Sequence, residues 1–143
     1  MKTVKDLLDY KGHEVLSLAP ADTVYRAIEV MAEKSVGALV VLEGHRLVGI
    51  LSERDYARKV ILKGKRSKDT SISEIMTTKV IVVPPERTVE ESMALMTDKR
   101  IRHLPVVEDD RVVGIISIGD VVRAVISERE FLIQQLERYI TSG

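Results

Sequence analysis

Leu47-Val48-Gly49-Ile50-Leu51-Ser52-Glu53-Arg54-Asp55 returns later in the chain as Val112-Val113-Gly114-Ile115-Ile116-Ser117-Ile118-Gly119-Asp120. Each copy is an apolar run, then a Ser, then an Asp three residues on, then a helical pattern. The run reads as a strand and Ser-x-x-Asp as the start of a helix. At an offset of 114 − 49 = 65, Val15–Val60 aligns without a gap on Val80–Val125, with 17 identities in 46 positions. Average residue usage would give about three. A related lead-in precedes each repeat at an offset of 68. Thr3-Val4-Lys5-Asp6-Leu7-Leu8 matches Ser71-Ile72-Ser73-Glu74-Ile75-Met76. The chain is therefore one unit made twice, and two such units in 143 residues are expected to share one core, because neither half buries enough surface alone.

Working outward, each unit predicts the order β-α-β-β-α. In the first, Val15–Leu18 is a strand ended by Pro20. Thr23 caps a helix through Val24, Ala27, Ile28 and Met31, which Gly37 breaks. Ala38–Leu42 and Leu47–Leu51 form a hairpin, and Glu53–Leu62 is a second helix. In the second, Val80–Val83 is a strand stopped by Pro84-Pro85, and Thr88 with Glu91 forms a capping box. A hairpin turns at Asp109-Asp110, and 120–127 is helical. A hairpin joined to an earlier strand by a helix gives a small mixed sheet with helices on one face, an α+β class. The predicted domains are 1–62 (first unit with its lead-in), 63–70 (a solvated basic linker with four cations in 63–68), 71–127 (second unit) and 128–143 (a further helix). The last carries Phe131, Leu132, Leu136, Tyr139 and Ile140, an apolar face for its own module or a partner.

Composition narrows the function. Lys plus Arg and Asp plus Glu both total 22, so a general nucleic-acid binder, with its basic excess, is disfavoured. Aromatics at 3% leave little for stacking bases. With no Cys there are no thiolate nucleophiles or cysteine metal sites, which fits a reducing compartment. His13 and His45 lie in expected loops and have no companions at metal-ligand spacing, so no metal is expected. Leu7-Leu8 is flanked by Asp6 and Asp9, unlike an apolar leader. No apolar run approaches the roughly 18 residues of a membrane helix. A soluble, cytoplasmic protein is expected. There is no phosphate-binding Gly-x-x-x-x-Gly-Lys loop and no nucleophile elbow, so the chain is not expected to be an enzyme.

The Ser-x-x-Asp endings admit two readings. One is a helix N-cap with an acid in the first turn. The other is a ligand site at the carboxyl end of a strand. There helix N–H groups and the Ser hydroxyl suit phosphate, and the Asp carboxylate suits vicinal ribose hydroxyls. Gly49 and Gly114 would then let a ligand approach the backbone.

The repeat, the paired Gly-h-h-Ser-x-x-Asp endings (h apolar) and Ile101-Arg102-His103-Leu104-Pro105-Val106-Val107 resemble a tandem pair of CBS domains, a Bateman module. The resemblance spans roughly residues 3–126. It implies two units packed through their sheets around a pseudo-two-fold axis, with clefts for adenosine-containing ligands: AMP first, then ADP, ATP, NAD or S-adenosylmethionine. The Asp would hold ribose, the Ser phosphate, and first-strand backbone the adenine. One cleft would use Ser52, Arg54 and Asp55 with Val15, Leu16 and Ala38. The other would use Ser117 and Asp120 with Val80, Ile81, Arg102, His103 and Pro105, and binds better because Arg102 and His103 add donors. The resemblance further implies a homodimer of paired modules and an adenine-nucleotide sensor acting on an unidentified protein partner. The rival reading is a dimeric assembly module with vestigial clefts. Retention of both Ser and both Asp residues favours the sensor.

Overall fold

A computed structural model describes residues 2–142. The chain divides into two compact units. One comprises Val15–Ile81 with Asp109–Val112. The other comprises Met1–Glu14, Val82–Glu108 and Val113–Gly143. We call these the first and second units. They cut across the sequence repeat, because each lead-in packs with the other repeat.

In the first unit, the short strand β1 (Ser17–Leu18) runs parallel to β2 (Ala38–Glu43), which pairs antiparallel with β3 (Arg46–Ser52). Opposite Val41 and Leu42 stand Gly49 and Leu47. The skipped Val48 is a bulge that shifts the register. Helix α2 (Val24–Lys34) starts at Thr23, whose Oγ1 accepts the Arg26 N–H at 3.1 Å. It ends at Ser35, in the left-handed region with φ 54, two residues before the expected Gly37 break. Val24, Ala27 and Met31 bury their stripe against Leu39, Val41, Leu51, Val60, Ile72 and Ile75. The expected helix 53–62 is a four-residue α3 (Glu53–Tyr56) that widens into a π-helical stretch, Ala57–Ile61. The basic segment 63–70 is more than a solvated linker. It contains a 3-10 turn, Ser67–Asp69. Lys68 lies 4.7 Å from the Tyr25 ring centre, and buried Thr70 donates to the Arg66 carbonyl at 2.7 Å.

The second unit holds α1 (Val4–Lys11), α4 (Val89–Lys99), β4 (His103–Glu108), most of β5 (Arg111–Ser117) and α5 (Ile118–Ser142). Asp109 and Asp110 turn the β4–β5 hairpin with φ 51 and 60, a pair suited to a primed turn. Thr88 and Glu91 form the expected capping box. The strand expected at 80–83 reduces to one bridge between Val83 and Val106. Pro84 and Pro85 carry no N–H to extend it. The helix expected at 120–127 and the helical tail are one continuous α5, and residues 131–140 of it are exposed. Val4, Leu7 and Leu8 of α1 are buried with Val89, Met96, Leu104 and Ile116. Each unit thus gathers a buried set of its own.

The exchanged lead-ins attach by the same bonds in both units. Val4 N–H donates to Arg87 O at 2.8 Å, and Ile72 N–H to Asp22 O at 2.9 Å. Lys5 donates to Pro85 O at 2.9 Å, as Ser73 does to Pro20 O at 3.0 Å. Thr3 bridges Thr88, and Ser71 bridges Thr23. Each lead-in opens with a capping box whose carboxylate, Asp6 or Glu74, is held below its ordinary pKa by hydrogen bonds from Thr3 or Ser71. Each also lays a side chain on the hairpin glycine. A Cβ at Gly114 would stand 2.6 Å from Leu8 Cδ2, and one at Gly49 would stand 2.5 Å from Met76 Sδ. Among the described residues no helix is long and apolar enough to cross a membrane.

Two measurements check this packing. Leu8→Ala should cost about 2–5 kcal/mol in denaturant unfolding. Gly114→Ala should cost less in the Leu8→Ala background than in the parent, by at least about 0.5 kcal/mol; strict additivity would contradict the contact. Deleting residues 131–143 should change stability by no more than about 0.5 kcal/mol, because 131–140 are solvated along their whole length.

Candidate functional site

Both Ser-x-x-Asp endings are built the same way. β3 stops at Ser52, and α3 begins on the next residue. The Ser52 hydroxyl accepts the Asp55 N–H at 3.2 Å, while Asp55 Oδ2 accepts the Ser52 N–H at 3.0 Å and its hydroxyl at 3.1 Å. At the other ending, Ser117 Oγ accepts the Asp120 N–H at 3.1 Å, and Asp120 Oδ2 accepts the Ser117 N–H at 2.8 Å. These reciprocal bonds satisfy donors that a helix start would otherwise leave open. The capping reading is therefore real at both endings, and any ligand would meet carboxylates already holding one helix turn.

Cations complete each ending. Lys59 lies 3.2 Å from Asp55 Oδ1 and donates to the Ile75 carbonyl at 3.0 Å. Asp120 has two partners: Arg123 at 3.0 Å from Oδ1, and Lys11 of α1 at 2.6 Å from Oδ2. Lys11 also donates to the Ile115 carbonyl at 2.6 Å. The Asp120 side chain is only 12% exposed. Burial would raise its pKa, yet the bonds from Lys11 and Ser117 outweigh burial and hold it below its ordinary value. His103 moves the same way: burial, then the charges of Lys11 and Arg102, lower its pKa against the opposing pull of Asp120. It stays neutral near pH 7, with one ring N–H to donate.

The expected site residues fall into place unevenly. Ala38 pairs with Ser52 across the β2–β3 ladder. The Leu16 carbonyl accepts the Val40 N–H at 3.3 Å, and Val15 and Leu16 are half-buried while Arg54 is exposed. In the second unit the Ile118 N–H donates to the Arg102 carbonyl at 2.8 Å, tying the start of β4 to the Ser117 ending. Pro105 is buried, and its carbonyl accepts the Val83 N–H at 3.1 Å. Val80 and Ile81, expected to serve Asp120, are half-buried residues of the first unit. The glycines do not serve as expected. Gly49 and Gly114 are buried, and the space where their β-carbons would stand is taken by Met76 and Leu8, so the close approach they permit is that of a lead-in side chain. Sequence reasoning missed the cations on the carboxylates. Lys59 and Arg123 were findable at helical spacing from Asp55 and Asp120, but Lys11 lies 109 residues from Asp120. Among the described residues no cluster of three potential metal ligands occurs.

The chain resembles known proteins along most of its length. It is 46% identical to the mitochondrial CBS domain-containing protein CBSX3 of Arabidopsis thaliana, over 99% of this chain and 73% of that protein. A solved protein with CBS domains from Burkholderia ambifaria superposes with a TM-score of 0.85 at 47% identity, covering 88% of this chain and 95% of that one. The CBS domain pair of protein MJ0100, solved with 5′-methylthioadenosine and S-adenosylmethionine, superposes with a TM-score of 0.80 at 27% identity, covering 90% and 98%. The family model for the CBS domain matches twice, at residues 3–62 and 72–127. The chain belongs to the CBS domain family and carries two copies of the domain.

Proposed function

We propose that this chain is a non-catalytic regulatory module that binds an adenosine-containing ligand at its Ser/Asp endings and signals to a partner protein. One observation carries the reading: a half-buried Ser/Asp pair edged by cations closes the hairpin of both CBS copies, in a family where a solved domain pair holds two adenosine compounds. The ligand in this reading is an adenine nucleotide, AMP first, with ADP, ATP, NAD and S-adenosylmethionine in the same class. The carboxylate takes ribose hydroxyls, the Ser hydroxyl and nearby cations take phosphate, and neutral His103 adds a donor. Any difference in ligand affinity between two conformations shifts their populations, which is how such a module regulates. The reading includes a homodimer of such modules in the cytoplasm, although the Arabidopsis relative is a mitochondrial protein by name.

One observation favours a second reading. The reciprocal bonds between Ser52 and Asp55, and between Ser117 and Asp120, give all four residues work without a ligand. An assembly module with vestigial clefts would retain them for capping alone.

Thermal unfolding with AMP, ADP, ATP, NAD, S-adenosylmethionine and GMP separates the two. A ligand at a hundred times its Kd adds about 2.7 kcal/mol, which raises the Tm by about 5–10 °C in a domain of this size. The sensor reading expects that shift with adenine compounds and none with GMP. No shift with any of them supports the assembly module. Asp120→Asn, which keeps an acceptor for the Ser117 N–H but loses the charge, should shrink the shift; an unchanged shift removes Asp120 from the ligand.

A further inference from the structure

Lys11 lies outside the aligned repeats, in the last turn of α1. Its ammonium is fixed at 2.6 Å from both Asp120 Oδ2 and the Ile115 carbonyl. An ammonium carries three N–H donors, so one remains beyond these two, and the side chain is 35% exposed. Gly12, which follows with φ 115, has open space where a Cβ would stand.

This arrangement is not repeated. In the first unit the carbonyl equivalent to that of Ile115 belongs to Ile50, and it accepts the Thr77 N–H at 2.9 Å. Lys79, the lead-in counterpart of Lys11, is exposed. At Asp9, the counterpart of Thr77, the first lead-in is still helical, and the Lys11 amine takes the carbonyl.

The charge balance differs too. Around Asp120 stand Lys11 and Arg123, with Arg102 acting with Lys11 on His103, so three cations against one carboxylate leave 3 − 1 = +2. At the other ending Arg54, Lys59 and Arg58, the repeat counterpart of Arg123, stand against Glu53 and Asp55, leaving 3 − 2 = +1.

We propose that Lys11 is a specificity-determining residue of the Asp120 ending: its remaining N–H receives an anionic group of the ligand, so this ending selects phosphate-bearing adenosine ligands over neutral adenosine and over S-adenosylmethionine, whose sulfonium is cationic. The proposal rests on the adenosine-ligand reading above. Its physical basis is preorganisation. A free lysine loses side-chain entropy when it grips a phosphate, but Lys11 is already held by two bonds, and its contact with phosphate is charge-assisted.

The test is calorimetric titration of AMP, adenosine and S-adenosylmethionine, first into the parent protein, then into Asp55→Asn to leave the Asp120 ending alone. In that background Lys11→Gln should lower the ratio of AMP to adenosine affinity by about tenfold, adenosine losing much less affinity than AMP, and Lys11→Arg should restore most of the ratio. S-adenosylmethionine should bind more weakly than AMP before the change and lose that disadvantage after it. Equal losses for AMP and adenosine would make Lys11 a support for Ile115 and Asp120 alone, and no loss for either would remove it from the site; both overturn the proposal. If the parent binds adenosine compounds but Asp55→Asn does not, the ligand sits at the other ending; this proposal falls and the adenosine reading stands. If the parent binds none of them, the adenosine reading itself fails, and this proposal with it.

Discussion

The packing of a lead-in side chain onto a glycine in the hairpin of the other repeat is the contact on which the rest of each unit depends. Leu8 on Gly114 and Met76 on Gly49 fill space that a β-carbon would need. That fit seats the lead-in against the sheet, and backbone bonds from Val4 and Lys5, or Ile72 and Ser73, lock it to the loop before the following helix. Sheets of two or three short strands are marginal alone. The lead-in supplies the additional apolar side chains (Val4, Leu7 and Leu8 in one unit, Ile72 and Ile75 in the other) that close each buried set.

The same exchange creates the inequality between the two endings. The first lead-in is helical for eight residues, Val4–Lys11, and delivers an ammonium to Asp120. The second has only a 3-10 turn, Ile72–Glu74, and then pairs its backbone with Ile50 at Thr77. Two homologous segments thus satisfy homologous carbonyls by different chemistry, one with a charge and one without. At Asp120 the bonds from Lys11 and Ser117 overcome the effect of burial on the carboxyl, so the group is ionised at neutral pH.

Much of this was legible in the chain. The 65-residue offset identified the repeat, and apolar periodicity placed α2, α4 and the two hairpins, because these features are local and each residue's neighbours carry the signal. Thr23, Thr88 and Ser52 announced helix starts for the same reason. What the sequence hid was non-local. A lead-in looks identical whether it packs on its own repeat or the other, since Leu8 and Met76 are simply apolar. Gly49 and Gly114 advertise close approach without saying what approaches. Val80–Val83 has strand composition, but Pro84 and Pro85 stop the ladder after one bridge. The cations at helical spacing from each Asp were readable; Lys11, joined to Asp120 only by the fold, was not.

The discontinuity of the second unit has a consequence for biosynthesis. Apart from the 109–112 hairpin turn, the first unit draws on one uninterrupted run, 15–81, so nearly all its residues are available once that run has left the ribosome. Residues 1–14 emerge earlier still but find their partners only after Thr88, Gly114 and Asp120 have been made. Chains grow at about 5–20 residues per second, so α1, with Leu7 and Leu8 uncovered, waits for several seconds while the rest of the protein is translated. This early segment is among the last to reach its place, and in that interval its apolar face is open to chaperones or to the wrong chain.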